Sequence, residues 1–254
     1  MLRKIQSIWN YLRVFSTIQD IRKFRLVAYG NGSEPEVVNV RAAGRTPLHI
    51  RPHTTDAGLL WDTFFNQYHL PLTTLRPDAV IFDLGASVGY TAVHFARLYP
   101  RATILAVELD ERNFAAAKVH LEPIERCKLI NAAVWSEDGS VSYDSEEVEW
   151  GFRVDNDYKN TDATTAVAKT IATIMAENNV ASVDFIMMDI EGAEWPVLST
   201  ATDWLDRVKM MKVELHPKFN ENATYENCAR VLTLRGFTCS RPHIHWNVLD
   251  AIRN

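Results

Sequence analysis

Three carboxylates fall within six positions of "MMDIEGAEWPVL" (187 to 198): Asp189, Glu191 and Glu194. Acids so spaced can take a proton from a weak nucleophile, hold a hard cation through oxygen, or satisfy the first amides of a helix. A helix cap needs one acid and this segment supplies three, so Asp189 is read as the central acid, either a general base or a metal ligand. Glu191 and Glu194 fit a helix start, where Pro196 is tolerated, and Glu191 is also assigned to the substrate side. A second constellation, Glu214 and His216 in "MMKVELHP", closes another apolar run. His216 is the alternative base, with a satisfied structural histidine as the equal reading. Asp189, Glu191 and Glu214 offer oxygen ligands, but acids two apart on a turn need not converge. A divalent metal is therefore the less favoured reading.

These residues need a scaffold that brings strand ends together. The runs 79 to 85, 103 to 109, 127 to 134, 183 to 189 and 210 to 216 are short, apolar and rich in branched residues, and helical patterns separate them. That alternation predicts βαβ units and a mostly parallel sheet covered on both faces, with ligands at the carboxyl ends of the strands. A helix over 224 to 235 then precedes 236 to 240 and 244 to 252, read as an antiparallel C-terminal hairpin. The domain division is a basic amphipathic helix over 1 to 25, an extension lying on the core over 26 to 78, and the catalytic domain over 79 to 254. Within the extension "LVAYG" and "EVVNVR" are read as strands, and Thr55 or Asp56 as a helix cap.

"IFDLGASVGYTAVHFA" is a strand ending in Asp83, a turn with Gly85, Ala86 and Gly89, and a helix beginning near Tyr90. Glycines there permit a tight turn and a ligand close to the helix start. The next strand ends in Glu108, where a carboxylate can accept both hydroxyls of a ribose. Asp83 occupies the place of the first glycine of GxGxxG, which disfavours a pyrophosphate and suits a ligand with a cationic amino-acid end, such as S-adenosylmethionine.

At "DLGASVGYT", "VELD", "NAAVWSEDGSV" and above all "DFIMMDIEGAEWPVL", the chain resembles the FkbM-type S-adenosylmethionine-dependent methyltransferases; "RPHTTD" (51 to 56) is similar to an Arg-Pro-Gly-Thr-Ser-Asp stretch they often carry. The resemblance runs from about 47 to 217. It implies a Rossmann-like class I methyltransferase fold with a seven-stranded sheet, and methyl transfer to a hydroxyl on a sugar, glycan or secondary-metabolite acceptor. It would put Asp83, Gly85 and Gly89 around the methionine part of S-adenosyl-L-methionine, Glu108 on the ribose, and Asn131 and Ala133 near the adenine. Ala86 and Tyr90 belong to the same turn, and Arg51 and Asp56 are assigned to the substrate. Two departures stand out: His53 replaces a usual glycine, and Met187 a frequent lysine, which leaves the acids without that counter-charge. The competing readings are a dinucleotide-dependent oxidoreductase, disfavoured by the missing glycines, and a cofactor-binding module without catalysis.

Composition excludes other classes. A chain of 254 residues with 47% hydrophobic and 23% charged residues can bury a core, and its net charge of -5 implies no nucleic-acid surface. Cys127, Cys228 and Cys239 are too far apart for a CxxC zinc site or a disulfide framework. With no membrane-spanning run and no signal-peptide pattern, the expected location is cytoplasmic. Residues 1 to 25 carry six basic side chains against one acid, a local +5, so the remainder carries -10. Ile5, Ile8, Trp9, Leu12, Phe15 and Ile18 recur at helical spacing. This helix suits peripheral contact with an anionic membrane, packing on its own domain, or a homodimer. Trp150, Phe152 and Tyr158, and His243, His245 and Trp246, are further candidates to approach an acceptor. His49 and His53 join Arg51 and Asp56 as a possible lid.

Overall fold

The computed structural model describes residues 8–143, 154–155, 164–242 and 247–254. In chain order the elements are α1 (Ile8–Val14), α2 (Ile18–Tyr29), β1 (Glu36–Val38), β2 (Leu48–Ile50), α3 (Asp56–Trp61), β3 (Val80–Leu84), α4 (Tyr90–Leu98), β4 (Thr103–Glu108), α5 (Glu111–Leu121), β5 (Cys127–Asn131), β6 (Ala133–Val134), β7 (Gly139–Tyr143), β8 (Val154–Asp155), β9 (Thr164–Lys169), α6 (Ile171–Glu177), β10 (Phe185–Met188), α7 (Glu194–Ser199), α8 (Asp203–Asp206), β11 (Met210–Glu214), α9 (Tyr225–Leu234), β12 (Phe237–Ser240) and β13 (Val248–Arg253).

Seven strands form the main sheet in the order β12-β13-β11-β10-β3-β4-β5. From β11 to β5 all pairings are parallel, and β13 joins β11 and β12 antiparallel. This is the Rossmann-like α/β architecture expected from the alternating runs. The strand order reverses between β3 and β10, so the crevice for a ligand opens where Asp83, Glu108 and Asp189 end their strands. Both sheet faces are buried. One packs Ile81, Ile104, Phe185 and Met187 under the N-terminal extension, α4 and α5, and the other packs Phe82, Leu105, Ile186 and Met211 under α6 to α9.

Three local expectations are corrected. The described part of the basic segment is two helices, because Thr17 and Asp20 form a reciprocal capping box that starts α2 afresh. Its buried face is Tyr11, Val14, Phe15, Ile21 and Phe24, packed with Trp61, while Ile8, Trp9 and Ile18 are exposed. "LVAYG" is the end of α2 and not a strand. The run from 127 to 134 breaks at Ala132, where the chain leaves the main sheet for a four-stranded one ordered β6-β9-β7-β8. The extension itself contributes the β1–β2 hairpin and α3 to the first core. The candidates Trp150, Phe152, Tyr158, His243, His245 and Trp246 lie outside the described residues.

Candidate functional site

A cavity open to solvent, with about 430 Å³ of empty space counted to its mouth, lies at the carboxyl ends of β3, β4 and β10. Its walls are apolar (Val107, Leu109, Ala132, Val134, Ile190 and Ala193), with Glu108 on one side and Asp189 and Glu191 on the other. A mostly apolar lining with a few convergent polar groups is the character of a small-molecule site. The break after β5 is what supplies the wall, since Ala132 to Val134 turn away from the sheet beside Glu108.

Two backbone features hold this end open. Gly85 has φ +83, and a Cβ there would lie 1.7 Å from the carbonyl oxygen of Asp189, so the glycine turn and the acid segment are in direct contact. Ser87, at φ +48, turns its amide back onto Glu108. Glu108 Oε2 accepts from Ser87 N at 2.7 Å and Oε1 from Asp110 N at 2.8 Å. These fix the carboxylate at the cavity wall. Burial nonetheless raises Glu108 to about 7, against the lowering by those amides.

Asp83 does not line the cavity. It is buried, accepts the Thr91 hydroxyl and the amide of Ala92, and so caps α4, whose own N-cap, Gly89, has no side chain to do so. Burial raises it to about 6 despite these bonds. Ala86 and Gly89 shape the turn behind the lining. Tyr90 points away, its hydroxyl donating to the carbonyl of His49. Asn131 donates to the carbonyls of Glu108 and Leu109 and so pins the strand end, whereas Ala133 is in the wall. Arg51 and Asp56 form a two-point ion pair, with Asp56 fully buried and Arg51 reaching on to Asn113 of α5. The structure therefore unites Gly85, Glu108, Ala133, Asp189 and Glu191 around one cavity, and puts Arg51, Asp56 and Tyr90 at the junction of the extension with the core. His53 has φ +60, the left-handed backbone that the usual glycine would adopt freely.

The acid segment meets the end of β11. His216 Nδ1 lies 2.8 Å from Glu194 Oε1, and Nε2 lies 3.3 Å from Glu191 Oε2 and 3.7 Å from Asp189 Oδ1. Burial alone would lower His216; the Glu194 hydrogen bond and the charges of Glu194, Asp189 and Glu191 outweigh it and push the imidazole up to about 10. Asp189 is raised by burial and by Glu214, and Glu191 by burial and by Asp189. Glu214 is raised to about 7, chiefly by burial.

Glu194 opens a helix as expected and has a second role that the sequence did not signal. It sits in the first turn of α7, fully buried, with both oxygens 3.1 Å from Gly192 N, and orients His216. Asp189 is not a cap, since the residue before α7 is Ala193. Sequence reasoning also missed Tyr68. Its phenol is held well above its usual range by burial and by Asp189, Glu214 and Asp83, which puts the extension against the acids. Nothing in the local pattern of "NQYHLP" signals this, because the proximity is purely tertiary.

Residues 83–239 match the model of the methyltransferase FkbM domain. A 2-O-methyltransferase NoeI from Sinorhizobium fredii is 24% identical over 167 residues, covering 59% of this chain and 67% of that protein. The crystal structure of a methyltransferase FkbM from Methylobacillus flagellatus superposes with a TM-score of 0.50 at 12% identity, over 78% of this chain and 53% of that one. This chain thus spans about half of that protein.

Proposed function

Because the chain belongs to the FkbM methyltransferase family, we propose that it transfers a methyl group from S-adenosyl-L-methionine to a hydroxyl of a sugar, glycan or similar small-molecule acceptor. The observation that carries this is a single cavity bounded by Glu108 on one side and Asp189 on the other. Glu108, already anchored by two amides, would accept from the ribose hydroxyls, and the apolar wall at Ala132 to Val134 would cover the purine. When bound, the cofactor supplies a methyl group activated as a sulfonium. A hydroxyl acceptor is consistent with the name of the relative, a 2-O-methyltransferase.

The chain's own contribution is to position the acceptor oxygen and take its proton. An alkyl hydroxyl is about as weak an acid as water, near pKa 15.7, so the proton must leave as the new bond forms. Asp189 is assigned as the acceptor of that proton. Asp189 lines the cavity, and the adjacent His216, fixed by Glu194, offsets its negative charge and favours the ionised form that a base requires. Glu214 and Tyr68 border the same space from β11 and the extension.

Isothermal calorimetry tests the reading. Micromolar binding of S-adenosyl-L-methionine, with no binding of a nicotinamide dinucleotide, is the expected result, and the reverse preference would overturn it. Mass spectrometry of cell extracts with and without the gene then looks for a gain of one methylene on a glycan or metabolite; a cofactor-binding protein with no such product would be a module without catalysis.

The N-terminal helices support peripheral membrane contact as part of the same proposal, in a cytoplasmic protein. Ile8, Trp9, Ile18, Leu26 and Tyr29 are exposed there. The one acid of the segment, Asp20, is buried in its capping box, while Arg13, Arg22 and Arg25 remain at the surface. Exposed aromatic and aliphatic groups among uncompensated cations suit an anionic interface. Vesicles containing phosphatidylserine should bind the chain and release it in high salt. Dimers in solution with no vesicle binding would assign the face to a second copy.

A further inference from the structure

We propose that Asp189, Glu191 and His216 form a site for a divalent cation, with Asp189 Oδ1, Glu191 Oε2 and His216 Nε2 as its protein ligands. The three atoms come from the ends of β10 and β11 and lie within 4.8 Å of one another. The imidazole nitrogen is 3.3 Å and 3.7 Å from the two oxygens. Ligands at right angles around a cation held at about 2.2 Å would be roughly 3.1 Å apart. The ring nitrogen therefore needs to close by about 0.2 Å on Glu191 and about 0.6 Å on Asp189.

Two observations beyond the clustering of acids support the assignment. Asp189 Oδ1 and Glu191 Oε2 are both shut off from solvent and receive no hydrogen bond. Buried carboxylate oxygens without a donor are costly, and a cation removes that cost. The second is the far side of the ring. His216 Nδ1 is held at 2.8 Å by Glu194, which is itself fully buried and fixed by the Gly192 amide. A carboxylate behind an imidazole, with the other nitrogen aimed into a set of oxygens, is the arrangement that orients metal-bound histidines. The turn that carries Glu191 is equally fixed: a Cβ on Gly192 would come within 2.7 Å of Phe219 Cβ.

Two carboxylate oxygens and one imidazole suit a hard or borderline ion such as Mg²⁺ or Mn²⁺. The sequence reading paired Asp189 and Glu191 with Glu214; the geometry replaces Glu214 with His216. Three protein ligands leave further coordination positions, and an acceptor hydroxyl bound there becomes more acidic. Only this last role rests on the proposed methyl transfer; the ion site does not.

The rival is a protonated His216 acting as the internal counter-ion, and the two are separated by adding a metal. The full chain, stripped with chelator and dialysed, is titrated with Mn²⁺ alone while free Mn²⁺ is followed by electron paramagnetic resonance. One saturable site per chain is expected, weakened at least tenfold in both Asp189→Asn and Glu191→Gln, and weakened to a smaller degree in Glu194→Gln. In the unmutated protein Mn²⁺ should broaden the ring proton resonances of His216 before those of the other histidines, a measurement that does not depend on any variant folding. Absence of a saturable site, a site unchanged in both carboxylate variants, or broadening centred elsewhere overturns the proposal. An Mn²⁺ site in a chain that binds no S-adenosyl-L-methionine would refute the proposed function and leave the ion site standing; cofactor binding without an Mn²⁺ site would do the opposite.

Discussion

Replacing Glu108 by glutamine tests the cofactor side of the cavity through pH. In the unfolded chain this glutamate ionises near 4.5, whereas in the fold burial raises it to about 7. Between those values the native state holds a proton that the unfolded state has lost, so stability falls as pH rises through the window and levels off above it. A rise from 4.5 to about 7 corresponds to about 3 kcal/mol of stability lost by pH 8. Glutamine does not ionise, so Glu108→Gln should gain on the parent by that order of magnitude between pH 4.5 and pH 8. Asp83, Asp189 and Glu214 tilt both proteins alike; Glu191, raised in part by the Glu108 charge, is relieved in the variant and adds to the difference in the same direction. Urea denaturation at the two pH values measures it. Loss of hydrogen bonds between a carboxylate and ribose hydroxyls should at the same time weaken S-adenosyl-L-methionine by roughly 10- to 100-fold, at about 1.5 to 3 kcal/mol per charged hydrogen bond. A stability difference independent of pH would refute the raised ionisation, and unchanged cofactor affinity would refute the ribose assignment.

Other substitutions probe the remaining contacts. Gly85→Ala drives a Cβ to 1.7 Å from the Asp189 carbonyl at φ +83, so it should cost roughly 2 to 5 kcal/mol in strain and overpacking and cut turnover on the order of 100-fold by displacing the acid; a wild-type melting midpoint would disprove the contact. Asp56→Asn strips the charge from a buried partner of Arg51 and should destabilise by about 3 kcal/mol while leaving cofactor affinity unchanged; if only the acceptor KM rises, the pair serves substrate and not the fold. Met187→Lys should lower stability by a few kcal/mol, because burying an ammonium beside Lys212 costs more than its pairing with Asp83 returns; a higher urea midpoint would contradict that account.

The main strands and their parallel sheet were readable because strands covered on both faces must be apolar along their length, and five such runs are separated by helical patterns. The break at Ala132 was not readable, since the apolar run continues through the point where the chain changes sheets. Thr17 and Asp20 did carry the signal that divides the first helix, but the periodic stripe of Ile5 to Ile18 masks it. Four-residue apolar stretches such as Leu26 to Tyr29 carry no period that separates strand from helix. In the site, Glu108 and Asp189 were legible because each ends a strand. Glu194 was read only as a helix start because its partner follows β11: until His216 is brought across, nothing marks an acid in a first helical turn as an orienting group. Arg51 and Asp56 were read as ligand contacts, and their partner Asn113 lies about 60 residues away in α5.

Met187 explains how this chain distributes charge beneath the site. Asp83, Met187, Lys212 and Asp250 stand in register across β3, β10, β11 and β13. A lysine at 187 would face Asp83 directly, not the acids at 189 and 191. In this chain the buried ammonium is one strand further from the glycine turn, paired with Asp250. Asp83 is left to the Thr91 hydroxyl and the start of α4, which stabilise it less than a neighbouring cation would, in keeping with its rise to about 6. The counter-charge to Asp189 and Glu191 then comes from His216. A lysine ammonium is a lasting charge, whereas an imidazole can give up its proton and bind a metal through the same nitrogen. Moving the fixed cation away from the cofactor turn thus leaves the acid cluster with the one counter-group that an incoming ion can replace.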